Sequence, residues 1–356
     1  GRYGMNVGQS TNATVSRNTI QNVITSDGAI SSTNNATGII ISTGTTGSLV
    51  TRNKITGVKY TGTSGYGGKG IDINTGNTSS NVTLSNNFVS DIGGDGWNSL
   101  SGDAIVGIRI SGTSGGFNLY HNTVNLAGTF AGNTSGTQSA ALFINSAVTA
   151  LDIRNNIFVA SLDNSATASD KTWAINSAAA NTAFTTINYN DYSVSGAAGV
   201  LGFLTADLVS LADIQTATAQ DANSISVAPV FVSATDLHLV TASNCALHRR
   251  GTPIATVTVD IDNETRSATA PDMGADEYAN STAGTQLWTG AQSTNWFDVR
   301  NWNSCEIPGP TSDVVINGSL PNYPVVNANV TIKSIAVNPA ASLTIATGVV
   351  FTLLGP

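Results

Sequence analysis

Apolar positions recur along the chain in one fixed frame. In the hexapeptides VSRNTI, VTRNKI, LSNNFV, LYHNTV, IRNNIF and INYNDY, an aliphatic residue stands three positions before an Asn (Val15, Val50, Leu84, Leu119, Ile153, Ile187). An apolar or aromatic residue stands two after it (Ile20, Ile55, Val89, Val124, Phe158, Tyr192). The asparagines are Asn18, Asn53, Asn87, Asn122, Asn156 and Asn190, spaced by 34 or 35 residues. A period this constant is the mark of a solenoid. A second apolar stretch precedes each later frame: IIIS (39–42), IDIN (71–74), IRIS (108–111), FINS (143–146) and AINS (174–177). Pairs such as Ile71/Ile73, Ile108/Ile110 and Leu142/Ile144 alternate as in half-buried strands. One repeat therefore reads as two or three short strands with corners, each pairing with its counterpart in the next repeat. Helical repeats of the same length fail, because the apolar spacing is two, β-branched residues dominate and glycines interrupt every unit.

The frame assigns faces. Positions −5 (Ala13, Ser48, Val82, Phe117, Leu151, Thr185), −3 and +2 from the Asn point inward, and position −2 (Ser16, Thr51, Ser85, Tyr120, Arg154, Asn188) faces water. Asn suits a corner because its short side chain tolerates a left-handed bend. Stacked roughly 4.8 Å apart on successive coils, its amide can both donate and accept along the stack.

Two segments break the period. DLVSLADIQTATAQ (207–220) carries Leu208, Leu211 and Ile214 at spacings of three, with Ser210 or Asp207 as N-cap, and predicts a helix laid across the last coil to cover its strand edges. From Gln286 onward, Trp288, Trp296 and Trp302 fall within fifteen residues, followed by short strands at VVI 314–316, VTI 330–332, IAV 335–337, LTI 343–345 and VVFTLL 349–354. The expected organisation is a first domain over 1–280, with a capping segment over about 193–280, and a Trp-rich second solenoid-like module over 285–356. The chain opens inside the repeat and closes on an unfinished one, as a fragment of something longer would.

Residues 1–280 resemble the right-handed parallel β-helix of the pectate-lyase-like superfamily, in which an Asn ladder at one corner is common. The stretch SLADIQTATAQDANSISVAPVFVSATDLHLV with VDIDNETRSATAPDMGADEY (259–278) is similar to the end of β-helix modules in large secreted or cell-surface proteins of Bacteroidota-type bacteria. Where such modules read SPAIDAG, this chain has SNCALHRRG. The W-x-G…NW-x-x-x-NW opening of the second module resembles repetitive β modules that follow β-helices in those proteins. The resemblance implies an all-β fold of about six coils of 34–35 residues, an extracellular location and export by a type IX route.

Composition and charge narrow the chemistry. Charged residues make up 10% of the 356 residues, the net charge is −8 and the pI is near 4.6. No basic stripe exists to neutralise phosphates, which argues against a nucleic-acid partner, and no run of 18 apolar residues offers a membrane span. Cys245 and Cys305 flank the compositional boundary, so a disulfide between them would tie two modules together; two separate thiols are the other reading.

β-Helix lyases and glycosidases work on the outer face of one sheet. The expected outward column here is Ile40, Asp72, Arg109, Phe143 and Ala174. It lacks the two carboxylates, roughly 5–9 Å apart, that glycoside hydrolysis uses, and Asp72 beside Arg109 reads as a surface ion pair. The loop Asp91, Asp95, Trp97 and Asp103 reads as a calcium or sugar site, or as a solvated loop whose Trp caps the core. Asp260, Asp262 and Glu264 resemble a metal loop without EF-hand spacing, the alternative being acids that cap turns and pair with Arg266. His121, His238 and His248 are too scattered for a ligand set, and His121 is expected to face solvent. The reading that results is a non-enzymatic structural or adhesive shaft with no cofactor unless calcium binds, its partners surface glycans or other copies of itself. The alternatives are a polysaccharide-active enzyme and a filament subunit.

Overall fold

The computed structural model describes residues 2–26, 35–100, 103–129, 136–163, 169–278 and 282–355. They form two compact units. The first comprises Gly1–His238 and Arg249–Glu277, the second Leu239–His248 and Tyr278–Pro356. The second unit thus includes a ten-residue segment that the sequence reading placed in the first.

The first unit is a right-handed parallel β-helix with three sheets. Its eight-stranded first sheet stacks Tyr3–Val7, Thr37–Ile41, Lys69–Ile73, Ile105–Ile110, Gln138–Ile144, Lys171–Ser177 and Gly199–Leu204 in parallel, then turns back through Ala206–Leu208. The six-stranded second sheet carries the residues before each Asn, from Thr14–Ser16 to Phe184–Asn188, and the third carries those after it, from Thr19–Thr25 to Asp191–Val194. Register follows the apolar frame: Ile71, Ile108, Leu142 and Ile175 are successive partners in the core. So are Val50, Leu84, Leu119, Ile153 and Ile187. Burying large aliphatic side chains such as these stabilises by about 1.5–3 kcal/mol each relative to exposure.

Helix Leu211–Thr218 follows the last first-sheet strand. Ser210 is its N-cap, and its hydroxyl and the Asp213 carboxylate form a reciprocal capping box. Ile214 is buried, and Gly202 lets it come close: a Cβ at Gly202 would stand 3.1 Å from Ile214 Cδ1.

Three assignments made from the frame are corrected. The left-handed residue of each corner is the one before the Asn: Arg17, Arg52, Asn86, His121, Asn155 and Tyr189 have φ between 53° and 63°. The Asn is therefore the residue the bend turns inward. In the last coil a bulge after Leu151 brings Phe184 into the inward column, so Thr185 is exposed. In the first sheet Ala174 and Ile175 both enter the core, and Asn176 takes the outward place assigned to Ala174.

The second unit is also built of parallel pairs. Gly284–Trp288, Ser312–Ile316 and Ser334–Val337 form one sheet, while Val325–Val326 pairs with Thr344–Ile345 and Val330–Ile332 with Phe351–Leu353. Side chains on neighbouring coils here bond across 21 residues, as Ser334 does with Asp313 and Asn338 with Asn317. Trp288, Trp296 and Trp302 are buried, with ring centroids 5.0 Å apart for Trp288–Trp302 and 4.7 Å for Trp296–Trp302. They form its core. Cys245 and Cys305 are joined in a disulfide whose two residues both belong to this unit. It therefore anchors the 239–248 segment within the second unit, where the sequence reading had the bond joining two modules.

Candidate functional site

The corner of the β-helix is the most organised polar feature of the first unit. Asn18 Nδ2 donates to Asn53 Oδ1 at 2.9 Å, and the same bond links Asn53 to Asn87 (2.9 Å), Asn87 to Asn122 (2.8 Å), Asn122 to Asn156 (3.0 Å) and Asn156 to Asn190 (2.9 Å). Each Oδ1 also accepts the backbone N–H of the preceding rung, and each Nδ2 from Asn53 onward donates to a main-chain carbonyl of the preceding coil, such as Val50 O for Asn87. Every donor and acceptor of a buried middle rung is thereby satisfied. At the far end Asn190 N–H donates to Ser224 Oγ at 2.9 Å, and Ser224 in turn bonds Asp221. Tyr192 OH donates to the same carboxylate at 3.2 Å, and burial pushes Asp221 up to about 6. The sequence reading missed this closing rung, although Ser224 lies one further period of 34 residues beyond Asn190.

Outside the corner, residues 249–277 run as a strap over the left-handed column. Asn263 Oδ1 accepts from Arg17 (2.9 Å) and Arg52 (2.8 Å); Asn86 Nδ2 donates to Val259 O (2.8 Å); Asn155 exchanges bonds with Thr252 at 2.7 and 2.9 Å. Ile254 and Val257 pack on Tyr120. Position −2 is covered as a result: Thr51, Ser85 and Tyr120 are buried where the frame had them facing water. His121 is buried too, against expectation. Its Nε2 accepts from Asn155 Nδ2 at 2.8 Å, and burial with the nearby Arg266 charge holds the imidazole well below its ordinary value. Arg266 is itself buried and pairs with Glu277 at 2.9 Å while donating to Asn86 Oδ1.

The acids of the strap separate into different roles. Asp260 is fully buried and caps a turn, accepting from the N–H groups of Asp262 (3.0 Å), Glu264 (2.7 Å) and Glu277 (3.1 Å). Glu264 is exposed, and the structure does not bring Asp260, Asp262 and Glu264 together as one ligand set. It places Asp262 instead beside Lys54 (3.3 Å), His238 and Asp276. Burial alone would lower the His238 imidazole, but hydrogen bonds to Asp236 and Asp262 outweigh it and raise it above the ordinary value.

On the outer face of the first sheet the column is Asn6, Ile40, Asp72, Arg109, Phe143, Asn176 and Phe203. Arg109 Nη1 contacts both oxygens of Asp72, at 3.0 and 3.2 Å, with side chains only 16% and 9% exposed. The pair is thus largely buried, and Lys69 lies 4.0 Å from the same carboxylate. Burial lowers the Lys69 ammonium below the ordinary lysine value, against the pull of Asp72. Further along, a cleft of about 360 Å³ is lined by Leu100, Gln138, Lys171, Trp173, Asn176 and Phe203 among others. Trp173 meets Phe203 edge-on at 6.3 Å and donates through Nε1 to Asp207 at 3.1 Å. Asn176 lies between Phe143 and Phe203 in the column, is 5% exposed, and makes no side-chain hydrogen bond among the described residues. No sequence motif marks this cleft, because Trp173 and Asn176 become outward neighbours only through the double inward step at Ala174 and Ile175.

The acidic loop is distributed as well. Asp91 pairs with Lys59 at 2.6 Å, and Asp95, nearly buried, accepts from Gly65 N–H at 2.8 Å. Both line a cleft of about 350 Å³. Trp97, 40% exposed, and Asp103, which accepts from Asn35 at 3.3 Å, are outside that lining; residues 101–102 of the loop are outside the described set. No helix among the described residues is long and apolar enough to cross a membrane. Comparison with protein families, curated proteins and solved structures finds no match to this chain.

Proposed function

We propose that the chain is a non-enzymatic structural and adhesive segment of an extracellular or surface protein, a stiff β-helical shaft that holds out loops and one aromatic cleft. The carrying observation is the unbroken corner column, five Asn–Asn bonds closed by Ser224. Such a column ties every coil to the next through groups that have no water to fall back on, which suits a spacer under load. The adhesive half rests on the first-sheet cleft. Trp173 and Phe203 supply apolar ring edges and Asn176 an unengaged amide, the combination that holds a sugar ring by its hydroxyls and its apolar face. Incubating the purified chain with polyuronides and neutral glycans, with and without calcium, tests this: retention of a glycan without cleavage is the expected result. Product formation would replace it with the polysaccharide-active reading, for which the same cleft is the place to look.

A further inference from the structure

We infer that His238, Asp262 and Asp276 bind one divalent transition-metal ion, zinc in type, which fastens the 249–277 strap to the segment preceding residue 239. The three residues come from separate parts of the chain, yet one ligand atom from each lies within 4.8 Å of the others. Two donors on one zinc, each bonded at roughly 2.0–2.2 Å, stand about 3.4 Å apart, so Asp262 Oδ2 must give up its hydrogen bond to His238 Nε2 and step back slightly to admit the ion. Asp262 is exposed enough to make that movement, while Asp276 is held buried in the strap.

The imidazole is oriented for this task. Asp236 Oδ1 takes the Nδ1 side of the ring, leaving Nε2 directed at Asp262 Oδ2. A carboxylate behind the ring and a ligand-bearing space in front of it is the arrangement that fixes a metal-binding histidine. The ring plane is held edge-on against Phe88 at 5.0 Å. Asp262 divides its oxygens: Oδ1 faces Lys54 at 3.3 Å and Oδ2 faces the histidine, so the lysine contact persists when Oδ2 turns to an ion. The site is half-open, with His238 28% exposed, and water can complete the coordination shell.

The donor set also selects the ion. One imidazole nitrogen with two carboxylates suits zinc, cobalt or manganese, whereas calcium asks for six to eight oxygens. This differs from the Asp260–Asp262–Glu264 grouping, in which the turn-capping role of Asp260 occupies both its oxygens. Bound there, the ion would join His238, beside Phe88 of the third sheet, to two points of the strap, Asp262 and Asp276.

The test uses the whole untagged chain after dialysis against a chelator. Isothermal titration should show one zinc per chain, zinc should raise Tm, and equimolar calcium should leave Tm unchanged. Cobalt should give visible d–d absorption. Asp236→Asn, which keeps all three ligands and removes only the group that orients the ring, should weaken zinc binding by about 10–100-fold. His238→Ala should abolish the stoichiometric site while leaving His121 and His248 in place. The proposal is overturned by the absence of one-to-one binding, by calcium matching zinc, or by unchanged binding in His238→Ala. Should that variant fail to fold, anomalous diffraction at the zinc edge on the unsubstituted chain decides, since an ion anywhere but beside His238 Nε2 refutes it.

Discussion

The Asn column and the left-handed column occupy adjacent positions at the same corner, yet they are built in opposite ways. The inner column repeats one residue six times and satisfies itself by stacking. The outer one uses Arg17, Arg52, Asn86, His121, Asn155 and Tyr189, and for most of them a separate strap supplies the partners. A backbone can be bent by chemically unlike residues provided something else satisfies them. A buried column of amides tolerates no such variety, because each rung is the partner of the next.

That contrast can be broken experimentally. Asn122→Leu should be the most damaging change, because the backbone N–H and Nδ2 of Asn87, the Oδ1 of Asn156 and the Leu84 carbonyl all lose a bond. Asn156 Oδ1 keeps the backbone N–H of residue 122, so three groups are left short; at about 1–3 kcal/mol for each, a loss of at least about 3 kcal/mol in denaturant unfolding is expected. A loss below 1 kcal/mol would show that the column is ornamental. Arg266→Met tests the strap: removing one partner of a buried ion pair should cost about 3 kcal/mol, and the loss should appear as proteolytic release of 249–277 with the coils intact. Ser224→Ala removes the closing acceptor together with the hydroxyl's bond to Asp221, with an expected cost of about 1–2 kcal/mol.

The smallest effect is the most discriminating, because the two sides of the corner should respond to acid with opposite sign. His121 stays neutral in the folded chain, so below its unfolded value of about 6.5 only the unfolded state takes up its proton and stability falls as pH drops. Asp221, raised to about 6, binds its proton more readily when folded. Between about pH 6 and pH 4 it therefore favours the fold as pH drops, and its burial as an anion weighs against folding above that range. Unfolding curves at pH 7 and pH 5 should show a shallower acid loss in His121→Gln and a steeper one in Asp221→Asn. Identical slopes in both variants would contradict the assignment.

The period, most of the inward positions, the helix with its Ser210 cap and the Trp-rich second module were legible because each is written in local spacing. What escaped had no local signature. The bulge that swaps Thr185 for Phe184 shifts the register by one residue, and the double inward step at Ala174 and Ile175 keeps the register but breaks the alternation itself; alternation alone announces neither. Burial of Thr51, Tyr120 and His121 depends on a strap more than a hundred residues distant in sequence. His238 and Asp276 join Asp262 for the same reason: folding, not spacing, makes them neighbours. Of the residues that line the first-sheet cleft, none had been assigned to the outward column.

The Asn column also has a direction. In every Asn–Asn bond the Nδ2–H points toward the next coil and the Oδ1 toward the preceding one, so these amide dipoles add head to tail along the β-helix. Each bond polarises its neighbours, and the donor end terminates at Ser224 and the Asp221 carboxyl group. The β-helix is accordingly an electrically polar rod, and two such rods lying side by side would prefer to run antiparallel.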